Sequence, residues 1–152
     1  MTSADFAHIR VSEITGYHPA ISELAAQLAA HQFTTAISHL SEAAASRLLT
    51  LHPICIYQNR GKNFIVGGFR SYQIAVLKFR ADSQVMCRLI SSKREILDIA
   101  KTDILFSPIV YSLSTKVAQQ TERLVGIVGK DFANEHHTDL ASARSCTRVH
   151  ER

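Results

Sequence analysis

Apolar residues recur along this chain with two periods. Around Ile9, Val11 and Ile14 they alternate closely enough to predict one short strand over Ala7–Ile14, ended by Gly16. Pro19 suits the first residue of a helix. Ile21, Leu24, Ala25, Leu28 and Ala29 follow at i, i+3, i+4, i+7 and i+8, an amphipathic helix of about three turns. Gln32 to Ile37 breaks that pattern. A second helix is predicted over Ser41–Leu49, with Leu40, Ala44, Leu48 and Leu51 on one stripe; Pro53 disfavours helical geometry at His52 and ends it. Ile54–Tyr57 and Phe64–Val66 read as a hairpin around Asn59-Arg60-Gly61-Lys62. Gly67-Gly68 stops the second strand, and Phe69–Leu77 reads as a helix with Ile74 and Leu77 inward. Val85, Cys87 and Leu89 alternate with Met86, Arg88 and Ile90, a further strand. Ser92 to Glu95 spells a capping box opening a helix through Ala100. Ser107-Pro108 starts another helical segment, and Val117, Leu124, Val125 and Val128 predict a last helix ending at Gly129. From Asp131 onward periodicity fades and charge rises, which predicts an unstructured polar tail.

The chain has 152 residues, enough for one domain with a sizeable core. With 46% hydrophobic and 20% charged residues it is not globally disordered. The first residues, MTSADFAHIR, contain Asp5 and no apolar run, unlike a secretory signal. The longest apolar stretch, Ile104–Leu113, is interrupted by Ser107 and Pro108 and is too short to span a membrane. Cys55, Cys87 and Cys146 have no CxxC spacing, against a disulfide scaffold or zinc ribbon. A soluble, reduced, cytoplasmic protein with no membrane partner is expected.

Charge changes the picture more than composition does. Residues 59–94 carry a net +7, against −2 for residues 1–58 and −1 for residues 95–152. Such a middle third suits an anionic partner: a nucleotide phosphate, a nucleic-acid backbone or an acidic protein. Arg60, Lys78, Arg80 and Arg88 are the candidate nucleic-acid contacts, and a solvated basic face is the plainer alternative.

Chemistry concentrates in HPICIYQNRGKNFIVGGFRSYQIAVLKF, His52–Phe79. Strand, turn, strand, Gly-Gly, basic residue and helix follow in order. Glycines let the backbone approach a ligand, and the free amides at a helix start favour an anion. Gly67, Gly68, Phe69, Arg70 and Ser71 form the candidate phosphate cradle. Arg70 supplies a forked contact and Ser71 a hydroxyl, with Lys62 reaching in from the turn. The competing reading is a tight glycine turn with Arg70 on the surface.

IVGGFRSYQIA, Ile65–Ala75, resembles the phosphate-binding motif of the ParB/sulfiredoxin-like superfamily, where a strand leads into Gly-x-Arg-Arg at a helix start. HIRVSEI (8–14), LHPICIY (51–57) and SQVMCRLI (83–90) resemble neighbouring strands of partition-protein N-terminal domains, so the resemblance covers roughly residues 8–90. Gly68 and Arg70 match the glycine and first arginine. Phe69 stands where nucleotide-hydrolysing relatives have glutamate, and Ser71 replaces the second arginine. Sulfiredoxin places a catalytic cysteine after its glycines; Phe69 occupies that position, so sulfinic acid reduction is not expected. Residues between Gly16 and Leu40 look like an insertion.

The resemblance implies an α+β fold, a small mixed sheet with packed helices over residues 1–106, followed by a helical extension at 107–130 and a polar tail at 131–152. It implies a nucleotide- or phosphate-binding domain of a DNA-associated protein, with a nucleoside triphosphate and Mg²⁺ as the cofactor pair and no efficient hydrolysis. The rival is a degenerate fold serving as a protein-interaction module, with a protein partner or a second copy of the chain; a phosphotransferase or nuclease is the third reading. No Ser-His-Asp order, Walker A motif or HExxH is present. His136-His137 with Glu135 and Asp139 could hold a divalent ion only weakly, and a polar tail is the better reading. Acidic Asp98 and Asp103 and the lack of a basic recognition face argue against a helix-turn-helix. Cys55 and Cys87 alternate with apolar neighbours and read as inert buried thiols.

Overall fold

The computed structural model describes residues 5–28, 37–111, 122–123, 125–127 and 129–136. It is an α+β protein built on one mixed sheet. The strands are β1 (Phe6–Arg10), β2 (Ile14–Tyr17), β3 (Ile54–Asn59), β4 (Lys62–Gly67) and β5 (Gln84–Leu89), in the order β1-β5-β3-β4-β2. β3 pairs antiparallel with β4 and parallel with β5; β1 is antiparallel to β5 and β2 parallel to β4. The helices are α1 (Ser22–Leu28), α2 (Glu42–Leu51), α3 (Phe69–Lys78), α4 (Ile96–Tyr111) and α5 (Lys130–His136).

The single strand expected over Ala7–Ile14 is two strands separated by a 3-10 turn, Val11–Glu13. In that turn the Val11 amide donates to the Ser83 carbonyl and the Ser12 amide to Ala81, so the chain leaves the ladder there. β1 and β2 then lie at opposite edges of the sheet. In a flat sheet those edges would be about 19 Å apart, four steps of roughly 4.8 Å. The connection from Arg10 to Ile14 spans at most about 14 Å. The sheet therefore curls strongly, and bulges at Ile14–Gly16 and Cys55–Ile56 contribute to the bend.

Ile9, Val85, Cys87, Ile54, Ile56 and Ile65 line one face of the sheet and are buried. α2 and α3 close this face through Ala45, Leu49, Phe69, Ile74 and Ala75. Burying each of the larger side chains contributes roughly 1.5–3 kcal/mol. The β3–β4 hairpin closes as its sequence predicts. Asn59 pairs with Lys62, and Arg60 and Gly61, with φ of 50° and 76°, form the two-residue turn that matches strand twist. α2 starts at the expected serine, whose Ser41 hydroxyl accepts the Ala44 amide at 3.1 Å.

Other boundaries differ. Pro19–Ile21 is a 3-10 turn, capped by His18 Nδ1 accepting the Ala20 amide at 3.1 Å, and the α-helix begins only at Ser22. Ser92 does not cap with its side chain; a 3-10 turn, Lys93–Glu95, precedes α4 instead. α4 runs unbroken through Ser107-Pro108, where a new helix was expected, and crosses the 106/107 division. Pro108 has no N–H for the Ile104 carbonyl, so the helix continues there with one hydrogen bond fewer.

Most of the last expected helix and residues 137–152 lie outside the described residues. Gly129, at φ 96° with its amide donating to the Val125 carbonyl at 2.8 Å, closes a helical turn at the expected end. The stretch from Asp131, expected to open an unstructured tail, belongs to helix α5 (Lys130–His136), which docks on the start of α2. The Ser41 amide donates to the His136 carbonyl at 2.6 Å, and His136 Nδ1 lies 2.6 Å from the Ser41 hydroxyl. Arg47 donates to His136 Nε2 at 3.3 Å, which leaves the ring proton on Nδ1, donated to Ser41. The serine is thus an acceptor and a cap, not an activated nucleophile. Polar contacts hold this helix, and hydrophobic period does not report them.

Candidate functional site

β4 ends at buried Gly67, and Gly68 turns the chain into α3. Gly68 has φ 68°, and a Cβ there would meet the Pro53 carbonyl at 2.6 Å. A Cβ at Gly67 would meet Ile99 at 2.9 Å and Cys55 at 3.3 Å. Both glycines are therefore required by close packing, against the start of β3 and against α4. Phe69 is 1% exposed, a core residue packed 5.9 Å from the Tyr17 ring. Ser71 is buried, and its hydroxyl donates to the His52 carbonyl at 2.5 Å, tying α3 to the chain entering β3. Arg70 is partly buried in the first turn of α3.

The amides at the start of α3 hold an anion that belongs to the chain itself. Asp103 Oδ2, from α4, accepts the Gly68 amide at 2.9 Å and the Phe69 amide at 3.1 Å. A carboxylate at a helix N-terminus satisfies two otherwise orphan donors and the positive end of the helix dipole. Two of the amides expected to meet a phosphate are thus taken by a carboxylate of the chain. Asp103 was not among the expected site residues. Its signal is faint but present: it falls on the stripe Ile96, Ala100, Asp103, an acid on the buried side of a helix.

The structure separates the remaining candidates. Lys62 begins β4 and Gly67 ends it, which puts them roughly 16 Å apart at about 3.3 Å per residue, so the lysine does not reach the cradle. Arg60 follows the end of β3, whereas Lys78 and Arg80 precede the start of parallel β5, at the opposite end of the sheet. Lys78 donates to the Ser38 carbonyl at 3.3 Å, and Arg80 pairs with Asp82 at 3.4 Å on an exposed turn. Arg88 is exposed on β5. The four do not form one patch. Glu13 pairs with Arg10 and Asp82 with Arg80, and Glu23 is exposed on α1.

Burial pushes the Cys87 thiol up to about 12, with Cys55 adding to the shift. Burial also raises Cys55, against the opposing pull of Arg88. Neither is a poised thiolate. Burial, and then the charge of Lys93, lowers His18 below the usual histidine range; its ring packs edge-on against Tyr57 and Phe64 at 5.6 and 5.5 Å. Among the described residues no group of three or more His, Cys, Asp or Glu side chains is placed to hold a metal ion. Nor is any described helix long and apolar enough to cross a membrane. Comparison with protein-family models and with curated proteins gives no match to this chain.

Proposed function

We propose that this chain is a ParB/sulfiredoxin-like domain whose phosphate cradle is closed by its own carboxylate, and that it works as a non-catalytic interaction module of a DNA-associated protein. The observation that carries this reading is the Asp103 carboxylate on the amides of Gly68 and Phe69. A nucleotide phosphate at α3 would have to displace a charge-assisted contact already made within the fold. Phe69 and Ser71 add to it, since both are committed to packing and neither faces a ligand.

A second reading keeps the ligand. Arg70, partly buried in the first turn of α3 and within the basic middle third, would favour a phosphate that exchanges with Asp103. Thermal shift of the full chain against a panel of nucleoside triphosphates, with and without Mg²⁺, separates the two. The closed cradle is expected to give no shift. A shift that Arg70→Ala removes would overturn the first reading in favour of the second.

A further inference from the structure

The sheet has a second face, opposite the one closed by α2 and α3. On β3 and β4, α4 packs against it, with Ile99 lying against Gly67. The turn at His18 covers Tyr57 and Phe64. On β1 and β5 this face is exposed at Phe6, His8, Arg10, Gln84 and Arg88, with Met86 partly buried. β1 alternates, with Ala7 and Ile9 turned to the core and Phe6, His8 and Arg10 turned away. β5 buries Val85 and Cys87 and turns Gln84, Met86 and Arg88 away.

Register brings these six side chains into three cross-strand pairs: Phe6 with Arg88, His8 with Met86, and Arg10 with Gln84. Opposite Cβ atoms in such pairs stand about 5 Å apart, and successive pairs on one face about 7 Å apart. Phe6 is 54% exposed; His8, Arg10, Gln84 and Arg88 are also exposed. None of the six is acidic. Glu13 reaches Arg10 at 4.0 Å, with both side chains more than half exposed, a surface pair that a phosphate can replace at little cost.

We propose that this β1–β5 face binds single-stranded nucleic acid. Exposed aromatic rings on a sheet, with arginines at both ends of the same ladder, suit unpaired bases stacked on Phe6 and His8 and phosphates held by Arg88 and Arg10. A duplex keeps its bases stacked on one another and leaves Phe6 without a partner. An acidic peptide satisfies the arginines but not the rings. The face uses none of the cradle residues. The inference extends the interaction-module reading by naming its partner.

Fluorescence anisotropy of the full chain tests it, with labelled oligo-dT and oligo-U, a duplex of equal length and a poly-glutamate peptide. Binding is expected for the single strands in preference to the duplex and the peptide. Two phosphate contacts predict that log K falls by about 1.4 per log unit of salt. Phe6→Ala is expected to weaken binding about tenfold with the salt slope unchanged, the scale of one stacked base. Arg88→Gln is expected to reduce the slope by about 0.7. His8→Ala serves as the second ring variant should Phe6→Ala lower the melting temperature. Absence of single-strand binding, equal binding of the peptide, or ring variants that bind like wild type would overturn the proposal. If binding is absent and the triphosphate panel is also negative, the closed cradle stands and its partner is a protein. A positive panel overturns the cradle reading whatever the oligonucleotides do.

Discussion

Replacing Asp103 by alanine leaves the amides of Gly68 and Phe69 without the acceptor that they share. The expected cost is about 1–3 kcal/mol, read as a lower midpoint in denaturant melts. Inorganic phosphate or sulfate should restore part of it in the variant and little in the wild type, because only the variant has a vacant cradle. Equal anion responses would show that the cradle is not what Asp103 fills. His18 makes a second expectation at this scale. Its proton affinity is lowered in the folded protein, so the unfolded chain takes up a proton first as pH falls. Its contribution is complete above about pH 6.5, the ordinary histidine value, and is lost as pH falls from there toward the lower folded value. Urea melts of wild type and His18→Gln between pH 7.5 and 5 check this: the variant should lose less stability across that range.

Elements that carry their own local signals are the ones sequence predicts well here. The β3–β4 hairpin is written in Asn59-Arg60-Gly61-Lys62, α2 in its Ser41 cap, and the start of α3 in the glycines before it; Ile74 is buried as expected, but Leu77, expected inward, is 65% exposed. β1 and β2 are not separable in this way. Val11 continues the apolar alternation while its amide bonds to Ser83, a partner far away in sequence. The cradle was legible as a place for an anion; its occupant was not, because Asp103 arrives from another helix 35 residues away. α5 escaped for a different reason, since His136, Ser41 and Arg47 hold it through polar atoms that no hydrophobic period reports. Its docking changes what a truncation should do. Deleting residues 130–152 is expected to lower the melting temperature by several degrees, because Ser41 and Arg47 lose their partner and buried Ala133 is removed. His136→Ala should reproduce part of that loss, and an unchanged melting temperature in both would show that α5 contributes nothing to the fold.

Across the whole molecule, the basic residues of the middle third are spread over several elements. Arg60 and Lys62 sit at the hairpin tip, Arg70 at the start of α3, Lys78 and Arg80 at and beyond its end, Arg88 on the outward side of β5 opposite exposed Phe6, and Lys93 and Arg94 in the turn before α4. The sheet that distributes them is assembled against the order of synthesis. β3 and β4 are neighbours in sequence and can pair as soon as they are made, whereas Phe6 must wait for Arg88 about 80 residues later. At ribosomal speeds of about 5–20 residues per second, β1 leaves the peptidyl-transferase centre roughly 4–16 s before its partner exists. For that interval Phe6 and Ile9 have no β5 to pair with, so β1 is the strand whose place in the sheet depends longest on chain still to be made.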